Sequence, residues 1–139
     1  MKTTLFFILT SLFSINSSAQ QDSTIFKGRI ENKEFQVYIV MDFYKNNIIV
    51  PRQQIFGETS GYFGDTKDDR KWLITAASIK KNTATIDMVN DYGSEDLQAT
   101  LTKNNDGTYT LKQIEGSTIK IARNRKWVKM PKTLIFTRK

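Results

Sequence analysis

An alternation with a period of two limits this chain more than any other feature. Phe35, Val37, Ile39, Met41 and Phe43 share one parity, with Gln36 and Asp42 on the other. Successive side chains of a strand point to opposite faces, so this spacing predicts a long strand with one face buried. Ala84, Ile86 and Met88 repeat the pattern against Thr83, Thr85 and Asp87, as do Leu97, Ala99 and Leu101 against Gln98, Thr100 and Thr102. Tyr109 and Leu111 open another strand that runs to Glu115, and Thr118–Ala122 sets Ile119 and Ile121 on one side. Trp72–Lys80 and Thr133–Thr137 read as extended too. Val, Ile, Thr, Tyr and Phe dominate these stretches, as strands prefer, and no segment carries a helical stripe of ten residues.

Short turn signals separate the strands. Glu31-Asn32-Lys33-Glu34 and Tyr44-Lys45-Asn46-Asn47 supply Asn, which tolerates left-handed backbone. Between Leu101 and Tyr109, Gly107 can take the positive φ of a bulged hairpin, and Gly116-Ser117 turns the chain again. Pro51 interrupts a predicted strand Ile48–Phe56 and demotes it to an edge or bulged segment. Gly57–Arg70 reads as the one long irregular stretch.

Eight or nine strands joinable as hairpins predict an all-β antiparallel up-and-down meander. Such a sheet must manage its edges, and closure into a small lipocalin-like barrel is the simplest solution, with a two-sheet β-sandwich second. The closing order of Trp127, Lys129, Lys132, Leu134 and Phe136 resembles that of small exported barrel proteins, a likeness from which no functional residue is carried over.

The first residues read differently. Lys2 precedes an apolar run from Leu5 to Ile15, followed by Asn16-Ser17-Ser18-Ala19, with small residues at −3 and −1 of a cut after Ala19. These are the three parts of a secretory signal peptide. The run is interrupted by Thr10, Ser11 and Ser14 and is shorter than the about 20 apolar residues that a membrane span needs. The expected organisation is a signal peptide over 1–19 and a single β-barrel domain over 20–139, without a transmembrane segment, in the periplasm or secreted.

Cys is 0 and His is 0. The fold must hold by packing and strand pairing, and the metal sites and Ser–His–Asp or Cys–His nucleophilic systems that depend on these residues are excluded. Asp87–Asp96 matches a calcium loop in composition only, because Asp91, Gly93 and Glu95 miss the spacing of an EF-hand. The paired carboxylates of Lys67-Asp68-Asp69-Arg70 sit in a predicted loop and not across a cleft, as glycoside hydrolysis would need. No cofactor or metal is expected, and no enzyme activity.

The charge is uneven. From Lys120 to Lys139 there are eight bases, Lys120, Arg123, Arg125, Lys126, Lys129, Lys132, Arg138 and Lys139, and no acid. Charge focused in this way raises encounter rates with anionic partners. Arg123-Asn124-Arg125-Lys126 falls between two predicted strands and can present a cluster of donors, so Arg123, Arg125, Lys126, Lys129 and Lys132 form the candidate basic binding face. Its expected partner is an acidic protein or an anionic envelope component. Nucleic acid is not expected, since Trp127 is an isolated aromatic beside these bases. Serine at Arg123, Arg125 and Lys126 is expected to weaken binding without unfolding the chain.

A second candidate is the aromatic loop of Tyr62 and Phe63 between Gly61 and Gly64, since aromatics are frequent binding anchors; the other reading of these residues is a tight strand pair in which one ring fills the core. Tyr38 and Val40 fall on the second face of their strand, exposed or covered depending on what packs there. The functional expectation is an exported, non-enzymatic barrel that binds and inhibits or neutralises a macromolecule, as a periplasmic inhibitor or immunity-type protein does. The alternative is a lipocalin-like carrier of a small hydrophobic ligand.

Overall fold

Each alternating segment pairs with its neighbour in sequence, and the row of hairpins closes on itself. The computed structural model describes residues 24–139; the expected signal peptide and its cut near Ala19 lie outside the described residues. The strands are β1 (Lys27–Asn32), β2 (Val37–Asp42), β3 (Ile48–Ile49), β4 (Glu58–Thr59), β5 (Gly61–Asp65), β6 (Asp68–Lys80), β7 (Thr83–Asn90), β8 (Asp96–Lys103), β9 (Tyr109–Gly116), β10 (Lys120–Arg123), β11 (Lys126–Lys129) and β12 (Thr133–Arg138). Eight of them form a closed barrel in the order β1-β12-β9-β8-β7-β6-β5-β2, every neighbouring pair antiparallel. The expected all-β meander and its closure are therefore present. Two small hairpins interrupt it, β3–β4 after β2 and β10–β11 after β9. No helix among the described residues is long and apolar enough to cross a membrane.

The alternating apolar residues fill the barrel. Val37, Ile39, Met41 and Phe43 point inward with Ile74, Ala84, Ile86, Met88, Leu97, Ala99, Leu101, Leu111, Leu134 and Phe136 in one continuous core. At roughly 1.5–3 kcal/mol for each large apolar side chain buried, this core supplies stabilisation without any disulfide. Tyr38 and Val40 turn outward, and they too are covered. They pack with Val50, Tyr62 and Leu73 in a second cluster on the outside of the barrel, beneath the β3–β4 excursion.

Two expectations need correction. The predicted strand Ile48–Phe56 shrinks to Ile48–Ile49; the chain then turns at Pro51 and makes a single 3-10 turn over Gln54–Phe56, because proline cannot donate to a ladder. The predicted irregular stretch Gly57–Arg70 instead holds β4, β5 and the start of β6. Tyr62 and Phe63 are 7% and 2% exposed, buried on opposite faces of a strand paired on both sides. The flanking glycines mark close approach and not a mobile loop. A Cβ on Gly61 would run into the Val40 carbonyl, and one on Gly64 into the Tyr38 ring.

The meander gives the barrel two ends. Residues 24–26, the β6–β7 turn and the β8–β9 turn lie at one; the β1–β2 turn, the β5–β6 turn, the β7–β8 loop and the β10–β11 hairpin lie at the other. At the first end Phe26 is fully buried, stacked on Phe43 at 5.6 Å and edge-on to Tyr109 at 6.3 Å. The Arg138 guanidinium holds this plug, donating to the carbonyls of Thr24, Ile25 and Lys27 and to the Tyr109 hydroxyl.

Candidate functional site: a cleft beneath a basic hairpin

The second end is closed differently. Ile119, Ile121 and Met130 of the β10–β11 segment join the barrel core, so the hairpin is pulled over the mouth by its own apolar face. Its turn, Asn124 and Arg125, has φ of 54° and 65°. Both values are positive, as a two-residue primed turn requires, and Asn accepts this conformation with little strain.

Arg123 fixes the hairpin to the wall. Its guanidinium donates to both Asp65 carboxylate oxygens at 2.6 and 2.9 Å and to the Phe35 carbonyl at 2.8 Å, joining the hairpin to the end of β5 and to the β1–β2 turn. The Asp65 side chain is only 4% exposed, and its hydrogen bond is the main cause that raises the Arg123 pKa above its ordinary value. The expected cluster of donors at 123–126 is therefore divided, with Arg123 directed inward as a bolt. Substituting it should loosen the hairpin, which revises the expectation that serine there would leave folding untouched.

The other four bases of the candidate face are exposed and make no ion pair among the described residues: Arg125 and Lys126 at the hairpin tip, Lys129 at the end of β11, and Lys132 on the connection to β12. Tyr62 and Phe63 are not brought together with them on the surface. Phe63 contributes instead to the floor of a cleft.

This cleft, of about 260 Å³, opens between the hairpin, the start of β6 and the β7–β8 loop. Phe63, Trp72 and Ile121 form its apolar floor, and Trp127 and Tyr92 stand at its rim, 54% and 63% exposed. Arg70 spans the rim. Its guanidinium lies over the Trp127 ring at 4.9 Å from the centroid, and its Nε donates to the Tyr92 hydroxyl at 2.8 Å. That hydrogen bond, ahead of the nearby Asp68 charge, raises the pKa of Arg70. Asn90 shapes the adjoining loop by accepting from the Ser94 and Glu95 amides, and Lys120 reaches Glu95 at 3.0 Å.

Four carboxylates line the cleft, and each is engaged. Asp65 holds Arg123, Asp68 pairs with Arg70 at 3.4 Å, Asp91 accepts from the Lys71 amide at 3.0 Å, and Glu95 holds Lys120. No group of three or more metal-ligating side chains occurs among the described residues. What the arrangement can do chemically is hold a partner group against aromatic rings inside a ring of charged side chains.

Sequence reasoning passed over Arg70 and Tyr92 and treated Trp127 as an isolated aromatic. The three are far apart in the chain and meet only because the barrel closes, so no local pattern marks them. Comparison with protein-family models, with curated proteins and with solved structures finds no match.

Proposed function

We propose that this protein is an exported, non-enzymatic binding protein of lipocalin-like architecture. It engages an acidic macromolecule through the hairpin end of its barrel and thereby inhibits or neutralises it, in the manner of a periplasmic inhibitor or immunity-type protein. One observation carries the reading: the hairpin that closes the mouth presents an exposed Trp127 between bases that no acid among the described residues pairs with. Trp is the most typical hot-spot residue, and unpaired charge around it gives steering and register. The engaged state of every cleft carboxylate supports contact over bond-making. The run of residues 1–19 supports export.

The carrier alternative has less behind it. Ile39, Met41, Ile86, Met88 and Phe136, which would line an internal pocket, pack against one another in the core. The cleft at the mouth, about 260 Å³, is below the ~300–1,000 Å³ usual for ligand sites.

The test is capture from envelope extract on immobilised protein at low and high salt, with Arg125→Ser, Lys126→Ser and Lys129→Ser combined as the comparison. A specific protein that is retained at low salt, released as salt rises, and lost with the triple variant is expected, because exposed charges are screened within about 8–10 Å at physiological ionic strength. Capture unaffected by the triple substitution would remove the basic face from the account.

A further inference from the structure

Whatever meets the basic hairpin also meets an open strand edge. Among the described residues β11 pairs with β10 alone, in the register Arg123↔Lys126, Ala122↔Trp127, Ile121↔Val128 and Lys120↔Lys129. In an antiparallel pair, hydrogen-bonded and non-bonded positions alternate. Arg123 and Lys126 flank the two-residue turn as a bonded pair, and the Met130 amide donates to the Ile119 carbonyl at 2.8 Å at the other end of the ladder. Lys126, Val128 and Met130 therefore spend their backbone groups on β10, while the amides and carbonyls of Trp127 and Lys129 point away from it. All four residues of β11 are exposed.

An open edge invites a further strand, and lysines along an edge are how proteins discourage the wrong one. Here the edge carries Lys126 and Lys129 with Arg125 at the turn, so two copies joined through β11 would set these bases against each other. The same bases attract an acidic strand.

We propose that the outer edge of β11 docks an extended acidic segment of the partner protein, which adds as a third strand to the β10–β11 hairpin. Backbone hydrogen bonds to Trp127 and Lys129 set the alignment, the partner's carboxylates meet Lys129 on one face of the strand and Lys126 on the other with Arg125 at the turn, and Trp127, on the Lys129 face, supplies an apolar contact. This is strand addition, in which the main chain gives affinity and the side chains give selectivity. The inference rests on the basic-face reading and names the mode by which that face works.

The probe is an eight-residue peptide of alternating Glu and Thr, with a second peptide of equal charge N-methylated at alternate residues, each titrated into the full chain at low salt. The unmodified peptide is expected to bind roughly tenfold more tightly than its N-methylated twin, the equivalent of one or two net backbone hydrogen bonds. It should slow hydrogen exchange at the Trp127 and Lys129 amides and leave Val128 unchanged. Lys129→Pro, which proline's tolerance at edge positions allows, should weaken it by a similar factor, and Lys129→Ala by only about two- to threefold. Equal binding of the two peptides, or no binding of either, overturns strand addition. If both peptides bind equally and both are lost with Arg125→Ser and Lys126→Ser, the basic face stands and only the edge pairing falls. The peptide comparison leaves the protein unaltered, so it decides the matter even if Lys129→Pro fails to fold.

Discussion

The two ends of this barrel solve one problem in opposite ways. At the first end the chain plugs the mouth with Phe26, and Arg138 ties the plug down through carbonyls and the Tyr109 hydroxyl. At the other end an inserted hairpin serves as the cover, bolted by Arg123 to a nearly buried Asp65 and leaving a cleft beside it. An arginine is the fastener in both. The difference lies in what remains outside: the plug spends its aromatic ring inward, whereas the hairpin keeps Trp127, Arg125, Lys126 and Lys129 facing solvent, the three bases without an ion pair among the described residues. A cover made from an extra hairpin has a second face to use, and a plug does not.

Substitutions can break that contrast in graded steps. The largest loss is expected at the plug. Phe26→Ala should lower unfolding stability by about 4 kcal/mol, in the range for deleting a buried Phe side chain, measured by denaturant titration. A loss below about 1 kcal/mol would mean that the first end is not sealed by this ring. Arg123→Ala comes next, at about 3 kcal/mol, since it strands the Asp65 carboxylate without its partner. Arg125→Ala, two residues along the same turn, should stay within about 0.5 kcal/mol. Equal costs at the two positions would erase the distinction between bolt and contact residue.

The wall between the ends has its own signature. Burial, and then the neighbouring Tyr38, raise the Tyr62 pKa above its ordinary value. A group whose pKa is raised on folding contributes stability that is complete below the unfolded value and is lost as pH rises through the folded one. Stability should therefore fall in the alkaline range, and Tyr62→Phe should flatten that fall while changing neutral-pH stability by less than either substitution above. An unchanged alkaline slope would show that other groups set it. The smallest effect on stability belongs to Arg125→Ser, Lys126→Ser and Lys129→Ser, each within about 0.5 kcal/mol, although binding should suffer most from these.

The barrel was legible because a strand's period of two is written residue by residue. Phe35–Phe43, Ala84–Met88 and Leu97–Leu101 each announce an inward face, and short polar turns between them leave little choice but a meander. At β5 the sequence left a loop and a tight strand pair both open. Gly61-Tyr62-Phe63-Gly64 uses glycine where strands usually do not, and its reason lies across the sheet, where Val40 and the Tyr38 ring occupy the space a Cβ would need. Such a constraint is set by neighbours and leaves no local periodicity. The candidate site was half legible: eight bases without an acid in the closing segment signalled a charged face, but nothing adjacent in sequence signals that Asp65 claims Arg123. The Arg70, Tyr92 and Trp127 rim depends wholly on closure.

The central claim is that one end of the barrel is for contact and the other for closure. Hydrogen–deuterium exchange of the chain alone and in complex with its captured partner tests this most directly. Slowed exchange is predicted across residues 90–95 and 120–130, with residues 24–26 and the 104–108 turn unchanged. Slowed exchange concentrated at 24–26 and 104–108, with the hairpin unaffected, would contradict it.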